Sequence, residues 1–219
     1  MILRNKIAAQ AGLLLDDEVA PGSIAERRDR LTEPHVRDLE DWVQDLTSRT
    51  GEAIPSFDPR SGGVRSSVLV LREEPRCLAG EKSGFVSIDN NDLAAQHTSI
   101  AHGSGGLDYG QTVHWNVVPW WVQNPETTPV GGRRTLLAQA RRARQDLLDV
   151  LDLLPGIRVV VLLGKQTERA WSVVDPGGYD VVTAPHPSPL AWHQMSVSGV
   201  RNSALTINAF SRAAATIAD

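Results

Sequence analysis

Cysteine is nearly absent from this chain: Cys77 is the only one in 219 residues. One thiol excludes, within the chain, a disulfide framework, a cysteine-held zinc site and a cysteine-ligated iron–sulfur cluster. A reducing cytoplasm is the expected setting. Long apolar runs are absent too, and none approaches the roughly 20 residues of a membrane span. The mildly apolar stretch Ile7–Leu15 is interrupted by Gln10 and followed at once by Asp16, Asp17 and Glu18, so it does not read as a secretory signal. An excess of positive charge is also lacking. With 22 basic and 26 acidic side chains the net charge is −4. That excludes coating of nucleic acid by bulk electrostatics and leaves open a grip through a small basic cleft.

What is present is enough apolar material for one sizeable core, 41% of residues against 22% charged. Residues 1–60 read as a mostly helical, charged leader packed on that core. Within it, Glu33–Arg49 places Val36, Leu39, Trp42, Val43 and Leu46 at helical spacing. Thr32 is the expected N-cap, Pro34 is tolerable in a first turn, and Gly51 is the expected stop. Ser56–Gly63 reads as a loop.

From Ser66 the character changes. Four short runs rich in β-branched residues follow: Ser67–Leu71, Thr112–Val118, Arg158–Leu163 and Tyr179–Ala184. Such runs suit strands buried on both faces of a parallel sheet. Helical patterns lie between and after them, at Asn91–Ala101, Arg133–Leu154, Gln166–Val174 and Asn202–Ala218. Alternation of this kind predicts an α/β fold, a three-layer α/β/α sandwich around a central, mostly parallel four-stranded sheet over residues 61–219.

In open parallel sheets ligands bind beyond the carboxyl ends of the strands. The residues there are Arg72, Glu73, Glu74 and Pro75 after the first run, and Trp115-Asn116-Val117-Val118-Pro119 closing the second. Gly164 and Lys165 follow the third, and His186-Pro187-Ser188-Pro189-Leu190 the fourth. One edge thus collects two carboxylates, an amide and a histidine, groups able to do acid–base and hydrogen-bonding work. In the last segment two prolines fix φ at alternate positions, a stiff arch that can hold His186 at the strand end and turn Ser188 with its own N–H toward an anion such as a phosphate.

That segment resembles the His-Pro-Ser-Pro-Leu motif of the uracil-DNA glycosylase superfamily. Val68-Leu69-Val70-Leu71-Arg72-Glu73-Glu74-Pro75 is similar to the strand and Gly-x-x-Pro turn of that superfamily's first motif. Gly84-Phe85, Trp115-Asn116-Val117-Val118-Pro119 and Val159–Gly164 resemble later motifs in the same order, so the likeness covers roughly residues 64–212. It implies a monofunctional DNA glycosylase that hydrolyses the N-glycosidic bond of uracil or a related deaminated base in DNA, a step of base excision repair. The target nucleotide would leave the duplex stack. By the same resemblance, Phe85 would stack on the base and Asn116 would read its edge. His186 would hydrogen-bond the charge that develops on the departing base. Glu73 or Glu74, with Glu73 preferred, would position water. Ser188 would contact phosphate, and Leu190 would wedge into the vacated stack.

DNA is the partner implied, the protein is expected to act as a monomer, and no cofactor or metal is expected. His97, His102 and His114 lack metal-ligand spacing. Two positions depart from the pattern: Arg72 stands where the family has glycine, and Arg76 where a small or aromatic residue is usual. Arg72 motivates the alternative, a non-catalytic nucleobase or nucleic-acid binding protein that keeps the glycosylase fold. The tryptophans Trp115, Trp120 and Trp121 read as core packing or as a base-stacking platform. Arg133, Arg134, Arg141, Arg142 and Arg144 read as a solvated helix face or as a DNA-backbone patch.

Overall fold

The β-branched runs become the strands of one parallel sheet. The computed structural model describes residues 2–75, 82–124 and 134–218, so Arg76, Cys77 and Arg133 lie outside it. In chain order the strands are β1 (Ser56–Phe57), β2 (Val68–Arg72), β3 (Phe85–Val86), β4 (Thr112–Asn116), β5 (Val159–Leu163) and β6 (Asp180–Ala184). The main sheet runs β4-β2-β5-β6, and β1 pairs with β3 in a small second sheet. All of these pairings are parallel. The helices are α1 (Lys6–Gln10), α2 (Ser23–Asp29), α3 (Arg37–Thr50), α4 (Leu93–Gly105), α5 (Leu136–Arg142), α6 (Arg144–Asp152), α7 (Lys165–Trp171), α8 (Pro189–Trp192) and α9 (Asn202–Ala218).

Alternation along the strands builds the three layers. Leu69, Leu71, Val113, Trp115, Val160 and Leu162 pack with Leu39 and Val43 of α3, Ala140 of α5, Leu147 of α6 and Trp171 of α7. Val68, Val70, Val159, Val161 and Val182 point the other way, against Ala101 of α4 and Ala209, Phe210 and Ala213 of α9. Each strand residue of β2, β4 and β5 except Arg72 is buried, as a sheet covered on both faces requires. The chain leaves β2 over the α4 face and leaves β5 over the α7 face. Connections therefore diverge between these two neighbours, and a crevice forms at their carboxyl ends.

Several local expectations are corrected. The helix expected from Glu33 begins at Arg37, because Arg30–Thr32 is a separate 3-10 turn, and Thr32 Oγ1 donates to the Asp29 carbonyl instead of capping α3. Gly51 does end α3, in the left-handed conformation at φ 68°. The long helix expected over Arg133–Leu154 is divided into α5 and α6 by a bend at Ala143, where ψ is 3°. The stretch read as a loop contains β1, which pairs in register with Phe85 and Val86. Trp115 and Trp120 are core residues. Phe57 stacks on Trp115 at 3.8 Å, and the Trp120 indole donates to Gln139 at 3.1 Å. Arg134 and Arg142 reach Glu52 at 2.7 and 3.5 Å, and Arg142 also covers Trp120, so these two arginines are engaged within the fold.

The first 60 residues are joined to the sheet region by a buried ionic cluster. Arg27 of α2 bonds Asp58 at 2.6 Å and Asp89 at 3.0 Å, and Arg60 forks onto Asp89 at 2.7 and 2.9 Å. Asp58 also accepts from Ser87 Oγ at 2.5 Å and from the Tyr109 hydroxyl at 3.0 Å. Burial opposes the Arg27 charge, yet Asp58 and Asp89 outweigh it and hold the guanidinium above its usual value. Replacing Arg27 with methionine leaves Asp58 without its cation in a buried place. The expected cost is about 3–5 kcal/mol, read as a lower urea midpoint.

Beneath the sheet lies a buried histidine pair. His102 Nδ1–H donates to the Leu107 carbonyl at 2.9 Å, so its Nε2 accepts from His114 Nε2–H at 2.9 Å. Burial lowers His102 to about 4 and pushes His114 well below its usual 6.5. Both stay neutral in the fold while the unfolded chain takes up protons below 6.5. Stability is therefore expected to be flat above that pH and to fall as pH drops from about 6.5 toward 4, by up to about 1.4 kcal/mol per pH unit for each histidine. Thermal melts across that range check it, and His114→Asn should flatten the slope.

Candidate functional site

At the carboxyl edge of the sheet, one cavity of about 650 Å³ is lined by Arg72, Glu73, Glu74, Pro75, Asn116, His186, Ser188 and Pro189. It is within the size range of small-molecule sites. Val86, Asn90, Gln96 and residues 2–4 and 6 complete much of the wall. The residues read from the strand ends thus meet in one place, although they come from three strands and span more than a hundred positions of chain.

Parallel pairing puts Arg72 and Asn116 side by side on the last rung, pointing to the α4 face. Asn116 is 2% exposed, and its Nδ2 has no hydrogen-bond partner among the described residues. The Arg72 guanidinium reaches Thr98 of α4 through Nη2 at 3.3 Å, while its buried Nε has no partner there either. Arg72 lines the cavity without closing it. An unpaired buried donor carries a cost of about 1–3 kcal/mol, and two on one rung mark a surface built to meet acceptors.

His186 is set by its surroundings on several sides. Gly164 follows β5 with φ +100°, and a Cβ there would lie 2.9 Å from the His186 Cβ. The Ser188 N–H donates to His186 Nδ1 at 3.0 Å, so a neutral imidazole carries its proton on Nε2. This corrects the expectation that the Ser188 N–H faces an anion, because that donor is already engaged by the histidine. The Ser188 hydroxyl oxygen accepts from the Ala191 N–H as the N-cap of α8. The arch is held from below by His97 of α4, whose Nδ1–H donates to the Pro187 carbonyl at 2.8 Å and whose ring stacks on Trp192 at 4.5 Å.

The two glutamates have different settings. Glu73 Oε1 lies 3.9 Å from His186 Nε2, and its Oε2 lies 3.1 Å from Thr167 Oγ1. Thr167 is also 2.8 Å from the Leu163 carbonyl, so its single hydroxyl proton serves one acceptor at a time. Glu74 turns the other way and accepts from the Val122 N–H. An imidazole N–H, a carboxylate and an amide donor therefore face a common space, an arrangement able to hold a polar ring and direct a water molecule at it.

Phe85 departs from expectation. It is 1% exposed and does not line the cavity, whereas its strand neighbour Val86, directed to the opposite side, does. Phe85 contributes backbone instead, its carbonyl accepting from Asn90 Nδ2 at 3.0 Å. Leu190 is 77% exposed on α8, one residue beyond the lining Pro189. Asn90 is a site residue that sequence reasoning missed. It is 6% exposed, and its Oδ1 has no partner among the described residues, which adds a buried acceptor to the two donors. The polar run Asp89-Asn90-Asn91-Asp92, two residues past β3, was the available signal. Thr167 and Thr98, helix residues in ordinary polar positions, gave none.

Among the described residues no cluster of three or more His, Cys, Asp or Glu is placed to hold a metal, and no helix is long and apolar enough to cross a membrane. No protein-family model and no curated protein matches the chain.

Gly164→Ala tests how tightly His186 is fixed. A non-glycine residue at that φ is strained by about 1–3 kcal/mol, and the added methyl meets the His186 Cβ. A lower melting temperature together with a shifted His186 imidazole resonance is the expected result.

Proposed function

We propose that the protein is a DNA glycosylase that hydrolyses the N-glycosidic bond of uracil or a related deaminated base in DNA. The observation that carries the reading is the cavity where Asn116, His186 and Glu73 meet, with buried donors on Asn116 and Arg72 and a buried acceptor on Asn90 that have no partner among the described residues. A deaminated base offers carbonyl oxygens beside a ring N–H, which is the complement of that set. Entry of such a base requires its nucleotide to leave the stack, and the 77% exposed Leu190 at the rim is the side chain placed to fill the gap.

In this mechanism Asn116 Nδ2 donates to a base carbonyl and Asn90 Oδ1 accepts from the ring N–H. As the glycosidic bond lengthens, negative charge grows on the base, and the His186 Nε2–H donates to it. The donor is preorganised because Nδ1 is already engaged by Ser188. Glu73, beside the imidazole, holds the water that attacks the sugar carbon and offsets the positive charge developing there. Water adds to the anomeric carbon, the base leaves with the bonding pair, and the water's proton passes to the carboxylate.

Arg72 favours one other reading, a protein that binds a nucleobase without cleaving it, since its guanidinium lies where a ligand's approach to bare backbone would otherwise be possible. A panel of oligonucleotides, each bearing one altered base, separates the two when abasic sites are cleaved after incubation. Release from the uracil strand is expected, with His186→Ala slower by about 10²–10³-fold and Asn116→Ala also strongly impaired. Binding without release from any substrate would favour the alternative, and neither binding nor release would end both.

A further inference from the structure

Residues 2–6 are far in sequence from every motif discussed, yet Ile2, Leu3, Arg4 and Lys6 line the main cavity. Their backbone is pinned in place. Asn5 is fully buried and donates through Nδ2 to the carbonyls of Ile88 and Asn90 at 2.9 and 3.0 Å. The Arg4 and Asn5 N–H groups donate to Asn91 Oδ1 at 2.8 and 3.2 Å, and the Lys6 N–H donates to Gln96 Oε1 at 2.8 Å. A second cavity of about 230 Å³ adjoins the first, shares Ile2, Arg4, Asn90 and Asp92 with it, and adds Lys82.

The side chains of Arg4, Lys6 and Lys82 are exposed, and none forms an ion pair among the described residues. The nearest carboxylates, Asp16 and Asp92, line the same cavities but are engaged by neutral donors. Asp16 accepts from Asn91 Nδ2 at 2.7 Å, and Asp92 caps α4 by accepting from the Ala95 N–H at 2.8 Å. The pinned backbone of residues 4–6 thus presents Arg4 and Lys6 at the base slot, and Lys82 adds a third exposed cation at the adjoining cavity that Arg4 also lines. Exposed cations without ion-pair partners among the described residues, at the mouth of a slot for a flipped base, suit the phosphates of the strand that carries that base.

We infer that Arg4, Lys6 and Lys82 form a phosphate track for the backbone of duplex DNA beside the slot. The inference rests on the glycosylase reading and assigns a role to residues that no motif marks. The track holds the flanking nucleotides in register while the target base sits against Asn116.

The test is the salt dependence of binding to a uracil-containing duplex, measured by fluorescence anisotropy on the full chain. Each phosphate contact contributes about 0.9 to the slope of log K against log salt. The triple variant Arg4→Ala/Lys6→Ala/Lys82→Ala is expected to lower the slope by about 2–3 and to weaken binding by about a hundredfold at roughly 0.1 M salt. Arg212→Ala, on an exposed turn of α9, should leave the slope unchanged, and Arg4→Lys should retain it. Lys6→Ala alone, which removes only an exposed side chain, should lower it by about 0.9 and serves if the triple variant unfolds. A wild-type slope in both the triple variant and Lys6→Ala overturns the track and leaves the glycosylase reading standing. A wild-type protein that binds no duplex overturns both.

Discussion

Asp58 is the constraint on which the rest of the molecule depends. Its two oxygens draw together Arg27 from α2, Ser87 from the segment after β3 and Tyr109 from the turn before β4. A carboxylate buried this deeply is tolerable only when its lone pairs are met by charged and polar donors. The interaction fixes more than the leader. Ser87 and Asp89 precede Asn90 by three residues and one, so the cluster that anchors α2 also sets where the Asn90 side chain enters the cavity. The same stretch receives the Leu15 N–H at the Asp89 carbonyl, which ties the opening residues to the cavity wall.

The site itself follows from topology. A parallel sheet puts all carboxyl ends on one edge, and the divergence of connections between β2 and β5 leaves that edge open in the middle. Arg72 and Glu73 come from β2, Asn116 from β4, and the arch bearing His186 from β6. What the sheet places, the helices adjust. His97 of α4 holds the Pro187 carbonyl, Thr167 of α7 lies against Glu73, and Thr98 of α4 draws the Arg72 guanidinium aside. The helix contacts are short and polar, so the functional edge is braced from both faces of the sandwich.

Much of this was legible in the sequence, for identifiable reasons. Three of the four strands announced themselves as β-branched runs because burial on both faces removes any need for alternation, whereas β6, expected to be buried likewise, is an edge strand exposed at Asp180, Val181 and Thr183. The meeting of Asn116, His186 and the glutamates followed from the rule that strand ends share an edge. The failures have causes of a different kind. A two-residue strand such as β1 has too little pattern to be seen, and the bend at Ala143 leaves the apolar stripe intact on either side. Phe85 was placed by analogy, but the side of a strand on which a residue falls turns on a single position, and here Val86 took the inner side. The wall built by residues 2–6 depends on Asn5 and Asn91 meeting across 86 positions, and no local pattern encodes such a contact.

The bond from the Ser188 amide to His186 has one more effect. With Nδ1 engaged by a main-chain N–H that can only donate, a neutral imidazole keeps its proton on Nε2, the nitrogen 3.9 Å from Glu73 Oε1. The ring therefore cannot pass a proton through to its far side, and any exchange at Nε2 takes place next to the Glu73 carboxylate.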